Sequence, residues 1–191
     1  MITIRNIIKN LSTGQSSIRV KSIIKDLEQF YQSIKPKIQI LHARKELDGT
    51  SIYFRIPSEN EPKLIYDIVI WFNSQDEITL ETEVKIYSNS PGFAFNFAYL
   101  FNSKNSLLFP SNYPDIFRSN PPKVRNPLDT ISFDKHVYAA LRSIIRRNLK
   151  NVLIELQETH RPIVATFEQK QTEIEKLREL KKKFMKKSGT K

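Results

Sequence analysis

An α+β fold is predicted, with an antiparallel sheet of about five strands in a meander, one amphipathic helix before it and two helices after it. Three observations carry this. Apolar residues recur at three-and-four spacing from Val20 to Ile34, the period shortens to two from Lys37 onward, and three-and-four spacing returns at Val137. At 191 residues the chain suits one compact domain with appended arms. The expected division is an N-terminal arm over residues 1–15, an α+β domain over 16–160 and a basic helix over 161–191.

In chain order, Ile2, Ile4, Ile7, Ile8 and Leu11 make the arm apolar enough to dock on the body or on a neighbouring subunit. Ser16 or Ser17 can cap a helix whose stripe is Val20, Ile23, Ile24, Leu27, Phe30, Tyr31 and Ile34, and Pro36 ends it. Strands are expected at Ile38 to Arg44, Ser51 to Ile56, Leu64 to Phe72 and Ile78 to Tyr87. Asp48-Gly49 signals a hairpin between the first two. Short connections favour adjacent antiparallel strands. The third strand is apolar on both faces and belongs in the middle of the sheet, whereas the fourth alternates and shows one face to water.

Phe93, Phe95, Phe97, Tyr99 and Phe101 put an aromatic ring at every second position, which predicts a fifth strand with all five rings on one face. Such a face packs as a seam against helices or a neighbouring subunit, because aromatics dominate core and contact energetics. A base-stacking platform is the competing use, but the aromatic stretch carries almost no phosphate-neutralising residues. Residues 102–132 hold half of the ten prolines and read as a long loop, anchored by Phe109, Tyr113 and Phe117. Ser132 or Asp134 can begin the next helix, with Val137, Ala140, Leu141, Ile144, Ile145, Leu149, Val152, Leu153 and Leu156 buried. Pro162 marks a restart, after which the apolar positions thin to a narrow seam.

The formal charge of +11 is unevenly placed. Residues 1–35 carry six basic and two acidic groups, 36–132 ten and eleven, and 133–191 fifteen and seven. Basic ends around a neutral middle point to an anionic partner, either nucleic acid or an acidic protein surface, with solvated helix faces as the alternative. Arg142, Arg146, Arg147, Lys150, Lys181, Lys182 and Lys183 are the candidate contacts. The longest apolar run, Ile68 to Phe72, is too short to cross a bilayer, so no membrane association is expected. The N-terminus does not read as a signal peptide. The absence of cysteine excludes disulfides, thiol catalysis and Cys-based zinc sites.

Catalytic signatures are sparse. Asp67 followed by Glu83-x-Lys85 has the order of a Mg²⁺ nuclease of the PD-(D/E)xK type, in which two carboxylates hold the metal and the lysine positions water. No proline precedes Asp67 and the Glu-x-Lys strand reads as half exposed, so a cross-strand charge pattern explains these residues better. His42, His136 and His160 lie far apart without flanking ligands, and Gly14, Gly49, Gly92 and Gly189 are too isolated to form a phosphate loop. No catalytic residue, metal or cofactor is expected.

Ser88-Asn89-Ser90-Pro91 with the aromatic run behind it, and Pro121-Pro122-Lys123-Val124-Arg125-Asn126-Pro127, resemble stretches of small structural proteins of tailed bacteriophages. The Ile-, Asn- and Lys-rich composition is similar to that of phages with AT-rich genomes. The resemblance covers roughly residues 64–150 and carries no residue roles. It implies a virion protein, assembled in the host cytoplasm, with a place such as the neck or head-to-tail connector. It also implies a homo-oligomer with other virion proteins as partners. A nucleic-acid-binding protein is the alternative reading.

Overall fold

The computed structural model describes residues 1–11, 17–61, 63–121 and 132–145 of the chain. Strands β1 (Ile2–Thr3), β2 (Gln39–Glu46), β3 (Gly49–Pro57), β4 (Ile65–Phe72) and β5 (Glu83–Ser88) form one antiparallel sheet in the order β1-β5-β4-β3-β2. Helices α1 (Ile4–Asn10), α2 (Ser17–Ile34), α3 (Pro91–Asn96), α4 (Ala98–Ser103), α5 (Asp115–Ser119) and α6 (Lys135–Ile144) complete an α+β fold.

The expected meander is present as β2 to β5, but the fifth strand is not the aromatic stretch. It is Ile2–Thr3, paired with β5 through Ile2↔Val84 and Thr3↔Glu83. The N-terminal residues thus dock on the body, one of the two placements that their apolar content predicts, and do so as a strand and a helix. Ile4, Ile7 and Ile8 are fully buried in the common core. β5 is also shorter than its alternation suggested. Residues 78–82 form a turn in which Thr79 and Thr82 bond one another, and the carbonyls of Leu80 and Thr82 receive the amides of Arg5 and Ile4. The start of the predicted strand is thus spent on seating α1.

The sheet packs one face against the helices. Ile52, Phe54 and Ile56 of β3, Ile68, Ile70 and Phe72 of β4, and Val84 and Ile86 of β5 share a core with the α2 stripe and with Val137, Tyr138 and Leu141 of α6. Each such large side chain contributes about 1.5–3 kcal/mol on burial. β4 lies in the middle of the five strands and is buried on both faces, with Val69 and Trp71 on the side away from the helices. Between β2 and β3 the two-residue connection is Leu47-Asp48, and Gly49 already belongs to β3. Glycine is required there for close approach, since a Cβ would lie 2.2 Å from the Phe72 carbonyl oxygen and 2.8 Å from the Trp71 indole.

The two sides of the sheet end differently. Along β5 the outer edge is closed, by β1 at one end and by residues 106–108 at the other. There Ile86 donates to the Ser106 carbonyl at 2.9 Å and Leu108 donates to that of Ile86 at 2.9 Å. The Ile2 amide bonds Ser106 Oγ at 3.1 Å and ties the two covers together. The loop expected over 102–132 is thus partly ordered by the sheet. Its residues 122–131 lie outside the described residues, as do the predicted helical residues 146–191. β2 forms the opposite edge.

The aromatic stretch folds as α3 and α4. Ser90 caps α3 by accepting the Phe93 amide at 3.3 Å, and Pro91 takes the first helical position, where its missing N–H costs nothing. An alternation of period two contains positions i, i+4 and i+8, which share a helical face. Phe93, Phe97 and Phe101 accordingly converge, with ring centroids 6.2 Å apart for Phe93–Phe97 and 5.3 Å for Phe93–Phe101. Phe93 and Phe101 are fully buried and Phe97 packs on the core. Tyr99 is half-buried, and Phe95 lies 42% exposed against Phe117. The five rings do not form one seam.

Candidate functional site

β2 is exposed along seven of its eight residues and on both faces, an uncommon state for a paired strand of this length. Its pairing with β3 runs from Gln39↔Arg55 to Glu46↔Gly49, with a bulge at Leu41 where the register shifts between Ile40 and His42. Ile40 and Leu41 are 55% and 47% exposed, and Leu47 at the hairpin tip is fully exposed. The tip is nevertheless held. Gln75 Nε2 donates to the carbonyls of Glu46 at 2.9 Å and Leu47 at 2.7 Å, and Lys45 Nζ lies 3.7 Å from Asp76. A shallow depression of about 650 Å³ between Arg44, Lys45, Glu46, Leu47, Asp48 and Gln75 marks this junction.

The sheet face away from the helices adjoins this edge. The register sets His42, Tyr53, Val69 and Tyr87 in one row across four strands, and Arg44, Ser51, Trp71 and Lys85 in the next. The His42 ring stacks on Tyr53 with centroids 4.1 Å apart, and Lys85 Nζ lies 5.2 Å from the Trp71 ring centroid. Tyr87 meets Phe109 and Tyr113 of the loop that wraps the closed edge. Several charged groups on this face have polar partners. Arg55 Nε pairs with Asp67 at 3.0 Å, Glu46 accepts from Ser51 Oγ at 2.7 Å and Glu83 accepts from Asn73 at 3.1 Å. Large rings, few free charges and a polar rim suit protein contact better than phosphate.

The nuclease-like residues are not brought together. Asp67 sits beside Asn89, whose side chain accepts its amide, and Glu83 sits beside Asn73. Six residues of ladder separate the two carboxylates, about 20 Å at strand rise, too far to share a metal ion. Among the described residues no group of three or more His, Asp or Glu side chains is gathered as for a metal.

A Ser-Asp-His cluster that the sequence did not disclose lies where β5, α3 and α6 meet. Ser88 Oγ donates to Ser90 Oγ at 3.0 Å, Ser90 Oγ donates to Asp134 Oδ2, and His136 Nδ1 lies 3.3 Å from the same oxygen. Nucleophilic catalysis needs the histidine between serine and carboxylate. Here the carboxylate stands between them, so His136 cannot take the serine proton. Asp134 also caps α6 through the Val137 amide at 2.9 Å. The cluster joins two helix N-termini. Ser90→Ala removes one cap and one partner of Asp134, and its expected cost is about 1–2 kcal/mol, read as a lower urea midpoint.

Of the candidate basic contacts, Arg142 is not at the surface. It is buried between α2 and α6, with its Nε donating to Glu28 at 2.8 Å and its guanidinium 5.3 Å from the Tyr31 ring centroid. Burial works against its charge, but Glu28 more than offsets this and holds the guanidinium above its ordinary range. Tyr138 completes the seam by donating to the same carboxylate. Arg142 is thus committed to the fold and faces no phosphate. Arg146, Arg147, Lys150, Lys181, Lys182 and Lys183 lie outside the described residues, as does His160. His42 is on the exposed edge and His136 is buried. Among the described residues no helix is long and apolar enough to cross a membrane.

Comparison of the chain with protein-family models, with curated proteins and with solved structures gives no match in any of the three.

Proposed function

We propose that the protein is a non-enzymatic structural component of a tailed-phage particle, in a place such as the neck or head-to-tail connector, whose surface is completed by neighbouring subunits. One observation carries the assembly role: β2 is an open edge strand solvated on both faces, with Ile40, Leu41 and Leu47 exposed beside it. Unpaired strand edges and exposed apolar groups favour association, and the opposite edge of the same sheet is covered twice. The face beside the open edge, with His42 exposed and Tyr53 and Tyr87 half-buried, supplies further contact area. The particle class comes from the resemblance of the Ser88–Pro91 and Pro121–Pro127 stretches and from the composition. The nucleic-acid alternative retains Arg146, Arg147, Lys150 and the terminal lysines but loses Arg142, the one member of its set whose partner is described.

Mass photometry tests this reading. The chain is 22.4 kDa, and the expected result is species of several times that mass, alone or with the other proteins of the particle. A species that stays monomeric and partner-free in both settings would overturn it.

A further inference from the structure

We propose that β2 takes an extended segment of another protein as a sixth strand, and that this segment alternates apolar and acidic residues. The inference rests on the reading of the chain as an assembly component, and deepens it by naming the chemistry of one partner.

The backbone geometry supports strand addition. In a hairpin with a two-residue connection, the flanking pair exchanges hydrogen bonds and the bonded pairs then alternate. Glu46, Arg44 and His42 therefore bond β3, and the N–H and C=O groups of Ala43 and Lys45 point away from the sheet. These groups are a template for one more antiparallel or parallel strand. The tip of the hairpin is fixed by Gln75, so the template is already formed before any partner arrives.

The side chains specify the occupant. Ile40 pairs with Phe54 and Ala43 with Ile52, which places both on the face that the helices cover further in. Both remain exposed. Gln39, His42 and Arg44 pair with Arg55, Tyr53 and Ser51 on the opposite face. Lys35 and Lys37 are exposed where the chain enters β2. Nearby acids gather at the other end, around the tip: Glu46 accepts from Ser51, Asp76 faces Lys45, and Asp48 is in the turn. The stretch from Lys35 to Arg44 therefore presents Lys35, Lys37, His42 and Arg44 without an acidic residue of its own. Cross-strand neighbours stabilise a sheet when they are apolar with apolar and opposite with opposite charge. An incoming strand that is apolar beside Ile40 and Ala43 and acidic beside His42 and Arg44 meets both conditions. A second copy of this chain fails the charge condition, since its own edge would add another His42, Arg44 and Lys45. The bulge at Leu41 works against edge-to-edge self-pairing as well.

The test uses the full chain and three labelled synthetic peptides of equal length, compared by fluorescence anisotropy and amide hydrogen exchange. One alternates valine and glutamate, one alternates valine and lysine, and one has the valines and glutamates in separate blocks. The valine–glutamate alternation is expected to bind most tightly and to protect the Ala43 and Lys45 amides. Lys37→Glu with Arg44→Glu, both at exposed positions, should weaken it by about tenfold, about 1.4 kcal/mol, with an unchanged circular dichroism spectrum. Equal binding of the lysine peptide would overturn the acidic assignment, and equal binding of the block peptide would overturn strand addition. Concentration-dependent protection of Ala43 and Lys45 in the protein alone would make a second copy the occupant and overturn the inference. If no peptide binds while mass photometry still finds oligomers, the inference fails and the assembly role stands. Peptide binding by a chain that remains monomeric with its particle partners would remove the assembly role and leave the edge site.

Discussion

Phe93→Ala and Phe101→Ala are each expected to destabilise the protein by about 3–5 kcal/mol, the usual cost of emptying a fully buried phenylalanine site. Phe95→Ala should cost only about 1 kcal/mol, because that ring is 42% exposed and its described ring contact is an edge-on meeting with Phe117 at 4.5 Å. Tyr99→Ala should fall near the same lower value, since Tyr99 is half-buried. Urea unfolding of the four variants measures this directly. A strand with five rings on one face would give five similar costs. Two short helices give a pattern in which the rings at every fourth position are expensive and the intervening rings are not. Equal losses across the stretch would therefore refute the helical assignment of residues 91–103, and with it the account of why Ser90 and Pro91 precede the rings.

The helical outcome was available in the sequence, in a signal that the aromatic alternation obscured. Ser90-Pro91 is a cap followed by a first-turn proline, and any period-two pattern has a period-four pattern inside it. Periodicity alone could not choose between them, whereas the local start signal could. The same weighing explains what was legible elsewhere. The α2 stripe and the meander from β2 to β5 are set by patterns repeated over many residues, and they appear with boundaries shifted by a few positions. The start of β5 is not legible because Ile78, Leu80 and Thr82 serve a turn whose carbonyls receive the N-terminal helix, through bonds between residues 75 and 78 positions apart. The pairing of Ile2–Thr3 with β5 is non-local in the same way. Charge counted along the chain places Arg142 among the candidate contacts, while its partner Glu28 is on another helix. The exposed edge was hidden for the opposite reason. Gln39 to Glu46 reads as an ordinary strand, and only its place at the end of the strand order leaves both of its faces uncovered.

Stability is expected to fall steeply as pH rises above 10, through two buried tyrosines. Burial pushes the Tyr113 hydroxyl well above its ordinary value of 10.0, and although the Ser88 amide donates to it at 2.9 Å and pulls the other way, burial wins. Burial also raises Tyr138, and its hydrogen bond to the Glu28 carboxylate raises it further, because a phenolate there would face a like charge. Both groups thus keep their protons in the folded state at pH values where the unfolded chain releases them. With fewer protons bound by the unfolded state, stability declines as pH rises, and it is fully present below pH 10. Each tyrosine should remove about 1.4 kcal/mol per pH unit in this window, about 2.7 kcal/mol for the pair. Urea midpoints taken from pH 9 upward give the slope. Tyr138→Phe and Tyr113→Phe should each roughly halve it relative to the unsubstituted protein. An unchanged slope in both variants would mean that these hydroxyls ionise in the folded protein, and that the seam of α2 with α6 and the junction of β5 with Tyr113 admit water.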